Sequence, residues 1–128
     1  KIIIDLKDNP DLAQTIIVTA FGLNIPTKLT GLSTLKVKET DRLEALRNEL
    51  TNLGASCIID DESIEFFKSN KLNKNYIINT YDDHRMALAF APLSVVFPVE
   101  IHNPKVVSKS FPEFWNILEK LNFSIDFV

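Results

Sequence analysis

Three short clusters bring cations, carboxylates and a histidine together where the chain passes from loop into helix. The first is Lys36-Val37-Lys38-Glu39-Thr40-Asp41-Arg42. Thr40 reads as the N-cap of the helix that follows, which leaves Lys38 and Glu39 in the loop and Arg42 in the first turn. The second is Asp82-Asp83-His84-Arg85, at the head of an apolar run. The third runs from Asn103 to Glu113; there Ser110 and Glu113 have capping-box spacing, with Lys109 just before the cap. A cation at a helix N-terminus works against the dipole by a few tenths of a kcal/mol, and a bound anion reverses that sign. Singly, each cluster is also what a solvated helix start looks like. An aspartate cap paired to Arg85 accounts for part of the second cluster, though not for His84. Jointly, and with Asp11 at a further helix start, Lys38, Arg42, Arg85 and Lys109 offer a site for a multiply charged anion. Glu39 and the aspartates between them are candidates for proton transfer.

These residues need elements that carry the helix starts to one end of a domain. Ile2-Ile3-Ile4 reads as a strand, and Asp8-Asn9-Pro10-Asp11 as a helix start with proline in the first turn. An apolar helix then runs to about Leu23 and ends at Asn24-Ile25-Pro26, before a strand at Lys28-Leu29-Thr30. Leu43, Leu46, Leu50 and Leu53 mark an amphipathic helix over Thr40 to Leu53, stopped by Gly54. Ser56 to Asp60 and Ser63 to Phe67 read as a hairpin through Asp60-Asp61-Glu62, and Lys68 to Asn75 as a polar linker. The second half repeats this order, from Asp83 through Pro98 and Val99-Glu100-Ile101 to an amphipathic helix at Phe114, Ile117, Leu118 and Leu121 that leads into a strand. The fold class is α/β (α+β), built from two units of strand-helix-strand-helix-strand type at about 1–70 and 71–128. Pro92 falls inside the second unit's first helix, so a kink or a helix in two pieces is expected there.

Composition removes whole classes. The 128 residues, 45% hydrophobic and 24% charged, suffice for a packed core. Gly22, Gly31 and Gly54 are the three glycines; they spell neither GxGxxG nor GxxxxGK, so glycine-loop nucleotide cradles are excluded. Phosphate must be held by side chains and helix starts. A net charge of −3 invites neither nucleic acid nor an anionic membrane. Cys57 alone makes no intrachain disulfide, and with His84 and His102 as the histidines a metal centre is not expected. Next to Ile58 and Ile59, Cys57 reads as a buried small hydrophobe. The longest apolar run, Met86 to Phe97, is too short to span a bilayer and contains Pro92. The chain begins at Lys1 without methionine or a basic-then-apolar leader, so the N-terminus is expected to be a cut and no signal peptide is read.

At the same residues the chain resembles a known family. Lys38-Glu39-Thr40-Asp41-Arg42, then Asp83-His84-Arg85-Met86-Ala87, then Pro104-Lys105 with Lys109-Ser110-Phe111-Pro112, are similar in order and approximate spacing to the EPSP synthases (3-phosphoshikimate 1-carboxyvinyltransferases). Asp11, in Pro10-Asp11, resembles that family's catalytic aspartate. The resemblance implies transfer of the carboxyvinyl group of phosphoenolpyruvate to the 5-hydroxyl of shikimate 3-phosphate, with release of phosphate and without a metal or organic cofactor. It implies that Asp11, Lys38 and Glu39 are catalytic and that Arg42, Arg85 and Lys109 hold phosphoenolpyruvate. Asp11, Thr34 and Lys38 would meet shikimate 3-phosphate, with His84 and Asp83 behind them. Thr34, with Ser33 beside it, stands where the family often has asparagine; a hydroxyl still offers a hydrogen bond.

The family's enzymes are two-domain proteins of six repeat copies with the site in the cleft between domains. This chain resembles the C-terminal part, about two copies. Half an active site is therefore expected, inactive alone, in a cytoplasmic enzyme that is monomeric when whole and meets neither nucleic acid nor membrane. A nucleotide-sugar enolpyruvyl transferase and a non-catalytic anion-binding domain are the alternative readings.

Overall fold

The computed structural model describes residues 1–128 and contains two sheets and four α-helices. Strand β1 (Ile2–Asp5) leads through a 3-10 turn at Pro10–Leu12 into α1 (Ala13–Leu23). Strand β2 (Thr27–Thr30), a 3-10 turn at Ser33–Val37 and α2 (Arg42–Leu53) follow. Strands β3 (Ala55–Ile59) and β4 (Ile64–Ser69) form the expected hairpin. The second half holds β5 (Ile77–Ile78), α3 (His84–Phe90), β6 (Glu100–Ile101) and α4 (Phe114–Lys120).

The first sheet has the order β1-β2-β4-β3, with β1 and β2 parallel and the other pairs antiparallel. The second is β5 and β6 alone, again parallel. Each parallel pair needs a crossover, supplied by α1 in the first half and α3 in the second. Register Ile4↔Leu29↔Ile64 carries buried Leu29 and Ile64 to one face of the first sheet. There Phe66 meets Phe21 of α1 edge-on, with ring centroids 5.9 Å apart. The main core runs from Leu6 to Phe97 and draws on both halves, so they share one interior. Helix α3 also faces a smaller cluster of Ala87, Ala91, Val107, Phe114 and Leu118.

Three local expectations change, and the break expected at Pro92 is present. Helix α2 is capped by Asp41 rather than Thr40: the Asp41 carboxylate accepts the Glu44 backbone N–H at 3.1 Å, and a carboxylate answers the dipole where a hydroxyl does not. The capping box at Ser110 does not form, and α4 starts at Phe114. Phe111 precedes Pro112, which disfavours helical backbone at that residue. Met86 to Phe97 is a helix in two pieces, α-helical to Phe90 and 3-10 over Ala91–Val95, with Pro92 in the first turn of the second piece. The strand expected after α4 is absent. Its alternating Phe123, Ile125 and Phe127 face β6 across a cleft of about 210 Å³, and no hairpin lies between to complete a ladder.

Cys57 sits on β3, partly buried against the core. Burial pushes its thiol up to about 12, against a weaker pull from Arg47, so at neutral pH it is not a thiolate. A thiol reagent at pH 7.5 is expected to spare the folded chain while labelling the urea-unfolded chain to completion; equal rates would refute the burial. Gly54 ends α2 with φ 113, and a Cβ there would stand 2.4 Å from the Lys71 carbonyl oxygen. Gly54→Ala should cost about 2 kcal/mol or more, read as a fall in the urea midpoint.

Candidate active site

Three helix starts converge, and Arg42 joins them. As the first residue of α2 it points inward and keeps 2% of its surface exposed. Its Nε donates to Asp83 Oδ2 at 2.8 Å and its Nη2 to Asp83 Oδ1 at 3.2 Å, a two-point contact with the residue that caps α3. Nη2 also donates to Glu39 Oε2 at 2.5 Å, and Nη1 to Asp11 Oδ1 at 3.2 Å. Four of the five guanidinium N–H groups are thereby used. A buried guanidinium requires such partners, because its desolvation is repaid only by well-placed carboxylates.

Asp83 is fully buried and equally saturated. Besides Arg42 it accepts the Arg85 backbone N–H at 3.0 Å, which caps α3, and the Gln14 side-chain amide at 3.2 Å. Asp83 caps α3, but its carboxylate is not paired with the Arg85 guanidinium. Asp83 spends its carboxylate on the backbone of its own helix and on Arg42, so the Arg85 guanidinium is left free to face outward. It makes no hydrogen bond and comes within 3.9 Å of Asp11 Oδ2. Lys38 Nζ lies 4.0 Å from Asp11 Oδ1. His84 Nδ1 lies 4.0 Å from Glu39 Oε1 and 3.9 Å from Asp83 Oδ1.

The result is layered. Arg42 and Asp83 form a buried floor, while Asp11, Lys38, Glu39 and Arg85 stand partly exposed above it and His84 lies at intermediate depth. The acids expected between the cations are paired with them: Lys38, Arg42 and Arg85 are met by Asp11, Glu39 and Asp83, charge for charge. Ammonium and guanidinium groups held at rest by carboxylates can exchange them for an incoming anion, and Asp11 and Glu39, each with one oxygen not hydrogen-bonded to Arg42, are candidates to move a proton.

Two expected site residues make no hydrogen bond or ion pair with this cluster. Lys109 is exposed in the turn before α4 and makes no ion pair. Thr34 is exposed in the first turn of the 3-10 segment that packs beside Asp11's own turn, and its hydroxyl has no partner. Conversely, Gln14 entered no expectation. It is buried on α1, its amide nitrogen bonds Asp83, and its Oε1 accepts nothing. A polar side chain on the apolar face of α1, one turn from Asp11, was the available signal.

Removing the Asp83 carboxylate strands a buried guanidinium and uncaps α3. Asp83→Ala is expected to destabilise the fold by about 3–5 kcal/mol, against less than 1 kcal/mol for Asp82→Ala on the exposed neighbour. Denaturant melts of the two variants decide, and similar midpoints would refute the floor.

The chain is similar in sequence and in fold to known proteins. The family model of EPSP synthase (3-phosphoshikimate 1-carboxyvinyltransferase) matches residues 1–118. A 3-phosphoshikimate 1-carboxyvinyltransferase of Bacteroides fragilis strain YCH46 is 47% identical over 124 residues, covering 94% of this chain and 30% of the relative. One from Laribacter hongkongensis is 38% identical over 118 residues, covering 92% and 28%. Among solved structures, EPSP synthase from Acinetobacter baumannii superposes with a TM-score of 0.73 at 25% identity, over 87% of this chain and 27% of that one. The chain thus spans less than a third of the length of these relatives.

Proposed function

The chain belongs to the EPSP synthase family, and from that premise we propose that the protein carrying it transfers the carboxyvinyl group of phosphoenolpyruvate to the 5-hydroxyl of shikimate 3-phosphate. The observation that carries this reading is the convergence of Asp11, Lys38, Glu39, His84 and Arg85 over the Arg42–Asp83 floor. A reaction between two anionic substrates needs cations to bring them together and carboxylates to move protons between them. The cluster supplies both.

In this proposal Glu39 gives a proton to the vinyl carbon of phosphoenolpyruvate while the 5-hydroxyl attacks the adjacent carbon, forming a tetrahedral adduct. Asp11 takes the hydroxyl proton, with the Lys38 ammonium 4.0 Å away assisting its transfer, and the proton leaves with the departing phosphate. Glu39 then recovers a proton from the new methyl group as phosphate departs. His84, beside Glu39, steadies that carboxylate. Arg85, with its fork unused, clamps phosphoenolpyruvate bidentately. Arg42 adds charge and its one spare N–H, and Lys109 closes the anion site from the turn before α4. Thr34 and Asp11 meet the shikimate hydroxyls. No metal or organic cofactor takes part.

The remaining length of the protein completes the cleft and excludes water from it. Residues of about 1–70 and 71–128 are two copies of one repeat within it. The whole enzyme is proposed to be a cytoplasmic monomer that meets neither nucleic acid nor membrane; no helix here is long and apolar enough to cross a bilayer.

In the complete enzyme, Glu39→Gln should lower kcat by about 100-fold or more. Arg85→Ala should raise KM for phosphoenolpyruvate by about tenfold or more, the worth of a charge-assisted bond. This chain alone should release no phosphate from the two substrates. Added to labelled chain, they should shift the amides of 38–42, 83–85 and 109. Turnover by the chain alone, or shifts confined elsewhere, would overturn the half-site reading.

A further inference from the structure

Glu49 is a buried ionisable side chain that the mechanism above does not use. It lies on α2, seven residues after Arg42 and on the same face, with 1% of its surface exposed. Its carboxylate accepts four hydrogen bonds, two from Tyr76 just before β5 and two from the segment between β5 and α3. Tyr76 Oη reaches both oxygens, at 2.9 and 3.1 Å. The Asn79 backbone N–H reaches Oε1 at 2.7 Å, and Tyr81 Oη reaches Oε2 at 2.7 Å. Burial and the Glu49 charge push the Tyr81 phenol up to about 12, so it remains a donor throughout the working range of pH.

That segment is strained. Tyr81 and Asp82 are consecutive left-handed residues, with φ of 55 and 53, and neither is glycine. Bulky residues hold such a conformation only where the surroundings over-determine it. The restraints are visible: the Asp83 N–H bonds the Thr80 carbonyl at 2.8 Å, the Thr80 hydroxyl bonds the His102 carbonyl at 3.1 Å, and Glu49 holds Asn79 and Tyr81. The residues immediately after the strained pair are Asp83, His84 and Arg85. One rigid helix therefore grips this segment twice, through Arg42 on Asp83 and through Glu49 on Tyr81 and Asn79. At 1.5 Å per residue the two grips are about 10 Å apart along α2, a lever long enough to fix an orientation as well as a position.

We propose that Glu49 is a positioning residue for the active site: by holding the Tyr81-Asp82 turn it sets where His84 and Arg85 stand relative to Glu39 and Asp11. Tyr76 serves as the internal control: its hydroxyl bonds the same carboxylate from before β5 and meets Asn79 only through a long 3.4 Å side-chain contact, with no bond to Tyr81 or Asp82.

The kinetic arm of the test rests on the proposed reaction and uses the complete enzyme. Tyr81→Phe and Glu49→Gln are expected to raise KM for phosphoenolpyruvate at least fivefold, with a smaller change in kcat, while Tyr76→Phe stays within twofold of the parent. The second arm needs no turnover and reads the same proteins by NMR. The Arg85 side-chain N–H and the His84 imidazole resonances should move in Tyr81→Phe and not in Tyr76→Phe. Tyr81→Phe deletes a single hydroxyl and keeps the arm readable if Glu49→Gln does not fold. Unmoved Arg85 and His84 resonances, or equal KM changes in the two tyrosine variants, would overturn the proposal. Moved resonances in an enzyme that does not use phosphoenolpyruvate would instead refute the proposed reaction and leave the positioning role standing.

Discussion

The arrangement depends on the contact between Arg42 and Asp83. The two are 41 residues apart in sequence, both lie out of water, and neither is tolerable there without the other. Desolvating a guanidinium or a carboxylate costs several kcal/mol; their two-point contact offsets much of that, and the surrounding donors and acceptors supply the rest. Because Arg42 opens α2 and Asp83 caps α3, the same contact locks two helix starts together. Everything that faces solvent above it takes its place from this floor.

A consequence is that the two basic residues with the most similar sequence settings have different physical situations. Arg42 and Arg85 each sit in the first turn of a helix, yet Arg42 is consumed by Asp83, Glu39 and Asp11 while Arg85 keeps its hydrogen-bonding fork open. One holds the scaffold and the other is available to a ligand. The division follows from the cap: Asp83 has two oxygens, gives one lone pair to its own helix backbone, and has no geometry left for the neighbouring guanidinium.

Helix α2 organises more than its own start. Its apolar stripe of Leu43, Leu46, Leu50 and Leu53 is fully or almost fully buried and pins it to the core. On that immobile rod, Arg42 and Glu49 are polar exceptions that reach the same segment at two heights. Burying charges at both places is costly, and the return is a strained turn held in one conformation. The second half lacks such redundancy at its end: its sheet has two strands, and residues 123–128 run beside β6 without pairing.

The element order was largely legible from periodicity and punctuation. The leucine spacing of α2, Asn24 and Gly54 at helix ends, the Asp60 hairpin turn and the break at Pro92 are local matters, decided by a few neighbouring residues, and local chemistry is written in order along the chain. The members of the cluster were legible too, since cations at helix starts are conspicuous. Short-range details failed where two local rules competed, as at Thr40 beside Asp41 and at Ser110 beside the residue preceding Pro112. What only the tertiary structure decided is who pairs with whom. Asp83 bonds the Arg42 guanidinium and not that of Arg85, Glu49 belongs with Tyr81, and Lys109 makes no ion pair. Such pairings depend on which helix starts the crossovers and the shared core bring together. The sequence determined the chemical inventory of the site; burial, which makes each charge choose its nearest partner across the fold, determined how that inventory is spent.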